Sequence, residues 1–359
     1  MTKKKKETLN GINIDDEFKS SYSDHVKTNQ RPTILICGYT GAGKSSMLRA
    51  LLGDVVSEEK IGHGRPMTSN FDIYQNDYLS VYDSKGFEPG QTEQEFIENV
   101  DSFVKKCRED SNVQNHIHLV WYCIQGAGAR VTEADKRLIQ NVFNKNVLVL
   151  VTKNDITRDK QRTAIKEQLI AAEVPETKII FCSEDDEHSK KKIIQTSFEM
   201  MPEAFRDAFI AGQVADLDRK DTKANTIIHT ASLAAGGVGG GNPFPGSDAA
   251  LITPIQVGMI GSLAYLYGVP KEEALVLLGP AMAQGLGIMT ASSLAKLIPG
   301  FGQVAQAVVA ATITEALGFF TKSFLYDCAT KRVRGEELPK FHVDPKIFTH
   351  AMSKIKKAA

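Results

Sequence analysis

The chain has 359 residues, with 43 Lys+Arg against 43 Asp+Glu, 42% hydrophobic and 24% charged side chains. That length suits two domains, and the zero net charge excludes a globally polybasic nucleic-acid binder and an acidic disordered chain. The average hides a partition: residues 224–321, 98 in all, hold six charged side chains (Asp248, Lys271, Glu272, Glu273, Lys296, Glu315), and the other 261 hold 80. The five cysteines (Cys37, Cys107, Cys123, Cys182, Cys328) are odd in number and never form a CxxC pair. This speaks against a disulfide framework or a structural zinc site and for a reducing compartment.

Residues 1–30 carry a lysine run at 3–6 and no apolar core of a signal peptide, so a disordered polar leader is expected there. From Arg31, short apolar runs alternate with longer amphipathic segments. Runs 33–37, 71–74, 78–82, 118–124, 147–151 and 178–182 read as strands, and 44–52, 92–108, 132–143 and 159–172 as helices. The third helix opens Thr132-Glu133-Ala134-Asp135, a capping-box-like start with Asp in place of Glu. Such alternation predicts a mostly parallel α/β sheet with helices on both faces, and the Asn76-Asp77 turn predicts one antiparallel edge. We expect an α/β domain over 31–188, a charged helical linker over 189–222, an all-α Ala/Gly-rich domain over 223–330, and a basic tail over 331–359. That tail ends in a helix opening at Asp344-Pro345.

Gly38-Tyr39-Thr40-Gly41-Ala42-Gly43-Lys44-Ser45 is a complete GxxxxGKS between a strand and a helix, the context that gives the motif its meaning. Gly38, Gly41 and Gly43 let the backbone wrap and aim N–H groups, with those of Ala42 and Ser46, at phosphate oxygens. Lys44 brings a point charge to the β- and γ-phosphates, the Ser45 hydroxyl suits Mg²⁺, and the helix N-terminus adds its partial positive charge. Asp83-Ser84-Lys85-Gly86 ends the third strand, where Asp83 suits the Mg²⁺ shell and the Gly86 N–H the γ-phosphate. Thr68, between the two motifs, is a candidate second hydroxyl on Mg²⁺ and sensor of the γ-phosphate.

Thr152-Lys153-Asn154-Asp155 follows a strand directly. A carboxylate at Asp155 accepts two hydrogen bonds from guanine N1–H and its exocyclic amine, a donor pair adenine lacks. The Lys153 stem can lie along the base plane, and the backbone of Ser183 can meet the guanine oxygen. Phosphate loop, Thr68, DxxG, TKxD and Ser183 together resemble the Ras-like GTPases of the translation-factor-related class. The segment 118–124 with Arg130 and Asp135 resembles the Era/TrmE branch. The resemblance implies GTP and GDP as ligands, Mg²⁺ as cofactor, and Lys44, Thr68 and Gly86 as the groups around the transferred phosphoryl. Residues 224–325 resemble the Ala/Gly-rich helical module found behind such domains, with cues at 242–248 and 253–260.

Two departures bear on rate. The position after DxxG, where Ras-like proteins that use a water-orienting glutamine carry it and Era-like relatives carry an apolar residue, is Phe87, and the fourth phosphate-loop position, an Asn in some relatives that use K⁺, is Gly41. We therefore expect slow hydrolysis without K⁺ activation by that route; Glu88, His63 and Arg65 are candidate water- or phosphate-orienting groups, with an ordinary exposed loop residue the stronger reading of each. An activating protein or a second copy of the chain could supply the missing group.

Three readings compete for the charge-poor block. Residues 274–295 and 297–314 approach the roughly 20 apolar residues needed to span a bilayer. Gln284, Gln303 and Gln306 oppose this, and the small-residue composition favours a compact bundle of about four or five helices, broken at Gly236–Gly241, 243–246, 268–270, Gly279-Pro280 and Pro299-Gly300. The third reading is a bundle that meets an anionic membrane surface in one nucleotide state. No sequence-specific nucleic acid partner is expected, and the expected location is cytoplasmic with peripheral membrane association as the variant.

Overall fold

The computed structural model describes residues 8–9, 12–53, 71–86, 92–128, 130–143, 146–241, 249–288 and 303–339. By its internal contacts the chain divides into two units, Asn29–Asp216 and a second one assembled from Met1–Thr28 with Leu217–Ala359.

In the first unit, β3 (Thr33–Gly38), β5 (Ser80–Ser84), β6 (Leu119–Gln125), β7 (Val147–Thr152) and β8 (Ile179–Phe181) are parallel, with β4 (Phe71–Gln75) antiparallel at one edge. The order across the six-stranded sheet is β4-β5-β3-β6-β7-β8. The expected hairpin edge is present: Asn76 Oδ1 accepts from the N–H groups of Tyr78 and Leu79, both at 2.8 Å, which folds the chain back after β4. β3 and β7 are buried along their whole length, as strands covered on both faces must be. The period of two sorts their side chains. Leu35, Cys37, Val120, Tyr122, Val149 and Val151 join a core with Phe96, Phe103, Leu138 and Ile165. Trp121 points to the other face, where its indole N–H donates to Ser197 Oγ at 3.0 Å.

The helices of this unit are α2 (Lys44–Leu52), α3 (Glu93–Glu109), α4 (Glu133–Arg137), α5 (Asp159–Ala171), α6 (Glu187–Met200) and α7 (Glu203–Gly212). The capping box at Thr132 and Asp135 forms as expected, but α4 widens after one turn into a π-helix over Leu138–Val142. The buried Asp135 carboxylate both caps α4 and accepts from Tyr122 Oη at 2.5 Å. α6 and α7 lie inside this unit and do not form a free-standing linker. Their apolar residues Ile193, Ile194, Phe205 and Phe209 are buried although lysines and glutamates surround them in sequence.

The second unit holds α8 (Leu217–Gly241), α9 (Ala249–Leu266), α10 (Lys271–Ile288) and α11 (Gln303–Val333). It also holds the short antiparallel pair β1 (Thr8–Leu9) and β2 (Ile12–Asn13) and the helix α1 (Ile14–Thr28), so the expected leader is in good part a docked helix. Ile14, Phe18 and Tyr22 recur at i, i+4 and i+8, making a narrow buried stripe on a helix otherwise polar. Tyr22 Oη donates to the Val269 carbonyl at 2.9 Å, and His25 Nε2 meets Ser262 Oγ at 2.6 Å. Polar composition concealed a helix whose three anchors suffice.

α8 passes unbroken through the composition shift near 222, and α8 and α10 continue through Gly236–Gly241 and Gly279-Pro280, where breaks were expected. A helical glycine costs about 1 kcal/mol relative to alanine, and close packing offsets it. A Cβ on Gly236 would stand 3.2 Å from Ala311 Cβ, and one on Gly318 would stand 2.8 Å from both Ile228 and Met259 Sδ. Small residues therefore let α8, α9 and α11 approach closely, as the bundle reading expects. The proposed spans 274–295 and 297–314, and the C-terminal helix from 344, fall partly or wholly outside the described residues. Among the described residues one helical stretch, Ala307–Val333, is long and apolar enough to cross a membrane.

Phe18 is fully buried against this unit. Phe18→Ala is expected to destabilise the protein by about 3–5 kcal/mol, read from denaturant unfolding of the full chain. An unchanged midpoint would mean that α1 hangs free.

Candidate functional site

All five parallel strands end at one edge of the sheet, the edge at which open α/β sheets bind ligands. The loop after β3 begins at Gly38, whose backbone φ of 143° and close approach to the Cys123 carbonyl of β6 leave no room for a Cβ. The loop then turns through Gly41 and Gly43, both at φ 79°, and closes with Ala42 N–H on the Tyr39 carbonyl at 3.1 Å. Lys44, at the first turn of α2, is 8% exposed. Its ammonium donates back to the carbonyls of Gly38 at 3.1 Å and Tyr39 at 3.2 Å. A buried cation is thus held by the loop's own carbonyls at the N-terminus of α2, where a polyphosphate would find positive charge. Ser45 and Ser46 follow on the exposed side of the first turn.

Asp83 reaches the same place from β5, paired in register with Ile36 of β3. Burial is the main cause that pushes its carboxyl up to about 6; the charge of Lys44 and a hydrogen bond with Ser45 pull the other way. Its Oδ1 is buried without a hydrogen-bond partner among the described residues. A buried carboxylate oxygen with open lone pairs, next to a serine hydroxyl, is a donor set that fits Mg²⁺, a hard cation taking oxygen ligands. Among the described residues no group of three or more His, Cys, Asp or Glu could hold a metal without help from a ligand. The five cysteines are free and buried.

Gly86 ends this loop at φ 81°. A Cβ there would lie 2.8 Å from Thr40 N and 2.9 Å from both Lys44 Nζ and Thr40 Oγ1. Only a glycine lets this backbone lie against the phosphate loop. Thr68, Phe87, Glu88, His63 and Arg65 lie outside the described residues.

The remaining candidates come from β7 and β8. Thr152 is 2% exposed, and its hydroxyl donates to the Ala42 carbonyl at 2.8 Å. Lys153 takes a left-handed conformation, φ 55°, and its carbonyl accepts from Thr157 Oγ1 at 2.7 Å. Asn154 N–H donates to the Cys182 carbonyl at 3.0 Å, which sets the loop beside Ser183, and Asp155 is exposed. Phosphate loop, DxxG, TKxD and Ser183 therefore converge on one rim.

Sequence reasoning missed several supports of this rim. Tyr39 Oη meets Thr132 Oγ1 at 2.9 Å and donates to Glu93 at 3.3 Å, tying the phosphate loop to the starts of α4 and α3. Arg162 of α5 grips Asn154. The tyrosine lies within the motif itself, yet nothing in its spacing marks the partners; the arginine follows Asp155 by seven residues and carries no motif.

Residues 33–153 match the family described as 50S ribosome-binding GTPase. Magnetosome membrane protein 22 of Magnetospirillum gryphiswaldense is 36% identical over 121 residues, 30% of this chain and 60% of that protein. The tRNA modification GTPase MnmE of Syntrophomonas wolfei is 27% identical over 187 residues, 52% of this chain and 36% of that protein. The chain thus spans less than two thirds of either relative. Among solved structures, Toc33 from Arabidopsis thaliana with Mg²⁺ and GMPPNP aligns at TM-score 0.30 and 15% identity, over 48% of this chain and 79% of that one. A dimerization-deficient R130A mutant of Toc33 aligns over the same shares at TM-score 0.27 and 12% identity. With its phosphate loop and DxxG on one sheet edge and the TKxD turn opening at its end, the segment 33–153 matches the GTPase domain of the 50S ribosome-binding GTPase family.

Proposed function

We propose that this protein is a guanine-nucleotide switch: it binds GTP with Mg²⁺, hydrolyses it slowly, and signals the nucleotide's state to its helical unit. The observation that supports this best is the shared rim on which Lys44, Asp83, Gly86 and the 152–155 turn meet. In this reading Lys44, with the amides of Gly41, Ala42, Gly43, Ser45 and Ser46, stabilises charge on the β- and γ-phosphates. Ser45, Thr68 and Asp83 would hold Mg²⁺. When bound, the ion would supply positive charge that offsets the charge developing on the phosphates. Lys153 and Asp155 select guanine, Ser183 meets its oxygen through the backbone, and Thr152 orients the turn. Loss of the γ-phosphate would remove the contact proposed for the Gly86 N–H and for Thr68, the step that would carry the nucleotide's state onward.

A second reading is a GTP-gated membrane-associating or scaffold protein with negligible turnover. The apolar stretch Ala307–Val333 favours it, together with the exposed Leu233 and Phe319. Phosphate release measured beside co-sedimentation with anionic liposomes, with GDP and with a non-hydrolysable GTP analogue, separates the two. The switch reading expects turnover on the order of 10⁻² s⁻¹ or slower, insensitive to exchanging Na⁺ for K⁺. No phosphate release with nucleotide-dependent sedimentation would favour the second reading.

Asp155→Asn is expected to weaken GTP about a hundredfold or more and to favour xanthine nucleotides, because the amide presents a donor to the guanine amine. Unchanged GTP affinity would remove Asp155 from base selection.

Asp83 offers an opposite pair of effects. Its value in the folded chain, about 6, stands above the ordinary 3.8, so the ionised carboxylate costs stability, a cost that sets in as pH rises between those values. Asp83→Asn is therefore expected to leave the ligand-free protein as stable or more stable at pH 7.5 in thermal unfolding. The same variant should lose about tenfold to a hundredfold of the Mg²⁺-dependent gain in GTP affinity. Destabilisation with Mg²⁺ dependence intact would assign Asp83 a structural role.

A further inference from the structure

The 152–155 turn has to present one carboxylate to two donors on a planar base, and it does so on a backbone that works against it. Lys153 is a non-glycine residue at φ 55°, a conformation that costs about 1 kcal/mol or more and persists only where neighbours hold it. What holds Asn154, the residue between Lys153 and Asp155, is therefore part of how the base is read.

Asn154 is gripped on every polar group it has in the main chain. Its N–H donates to the Cys182 carbonyl at 3.0 Å, and its carbonyl accepts from Arg162 Nη2 at 2.9 Å and from Thr157 N–H at 3.2 Å. Its side-chain Oδ1 accepts from Arg162 Nε at 2.7 Å. The remaining arm of the same guanidinium, Nη1, pairs with Asp159 Oδ1 at 2.5 Å, at the start of α5. All three nitrogens of one rigid plane are thus committed, two to a single residue of the turn and one to the helix that carries the arginine. A lysine, with one tetrahedral ammonium on a flexible stem, cannot reproduce this fork.

We propose that Arg162 is a positioning residue for guanine selection: its guanidinium clamps Asn154 so that the Asp155 carboxylate is held in the orientation that accepts both guanine donors. This rests on the assignment of Asp155 as the base-reading group. Arg162 touches no nucleotide in this scheme. It acts by removing the freedom of the turn, and displacements on the order of 1 Å at such a contact are worth up to about a hundredfold. Its side chain lines an open groove with Thr163, Lys166 and Phe181 and stands outside the hydrophobic core, so its removal leaves the fold's packing in place.

The test is competition binding of GDP and IDP to the full chain, since IDP keeps N1–H and lacks the exocyclic amine. The wild-type protein should prefer GDP. Arg162→Ala and Arg162→Lys should each weaken GDP about tenfold or more, leave IDP much less affected, and so shrink the GDP-over-IDP preference. Asn154→Ala, which removes the side-chain half of the clamp and keeps the arginine, should give a smaller loss in the same direction. General destabilisation would lower both affinities together and leave their ratio unchanged, and an unchanged ratio in both Arg162 variants overturns the proposal. Asp155→Asn, measured alongside, separates the two levels. If it abolishes the GDP preference while the Arg162 variants keep it, the clamp alone fails; if it leaves the preference intact, the base-reading assignment fails with it.

Discussion

One buried hydroxyl holds the two halves of the nucleotide rim together. Thr152 Oγ1 lies 2.8 Å from the Ala42 carbonyl and 3.3 Å from that of Ile124, so the end of β7, the end of β6 and the phosphate loop meet at a single side chain. Losing it would leave the buried Ala42 carbonyl without this donor, at about 1–3 kcal/mol. A loop rich in glycine has many conformations to lose on ordering, and this contact removes much of that freedom before a ligand arrives. Around that point the rim is built from opposed demands. Burial raises the Asp83 carboxyl, and the Lys44 ammonium beside it lowers it. The lysine meanwhile satisfies itself on the loop's own carbonyls. An anion would draw the ammonium outward, and a cation would relieve the carboxylate.

How much of this could be read from the chain alone depended on where the signal lay. The phosphate loop, DxxG and TKxD are dense local patterns whose chemistry constrains each position, and the fold delivers them to one edge. The parallel sheet with its antiparallel edge was equally legible, because strands buried on both faces leave long apolar runs. The supports of the site were not. Arg162 and Tyr39 act through partners 8 and 54 or more residues away, and no spacing rule announces those contacts. α1 was hidden by its own polarity: three anchors on fifteen residues look like a solvated leader until a docking surface exists.

Glycine misled in the opposite direction. Taken as punctuation, the run at 236–241 and the Gly279-Pro280 pair divide the charge-poor block into short helices. In the fold Gly236 and Gly318 mark close helix crossings, and the low charge follows from surfaces pressed against one another. The exceptions carry compensation. Glu273 pairs with Arg332, and the buried Thr314 hydroxyl accepts from Gln256 at 3.0 Å.

The division of the chain also sets an order of assembly. The helical unit is discontinuous: α1 precedes the entire GTPase domain, while its partner α9 follows it, and the contact between Ser21 and Gly258 closes a separation of 237 residues. At synthesis rates of roughly 5–20 residues per second, α1 waits on the order of 10–50 s for that partner to be made. The GTPase domain can finish folding in that interval. Until then the stripe of Ile14, Phe18 and Tyr22 lacks the surface that buries it in the folded chain, so α1 depends for its burial on residues made last.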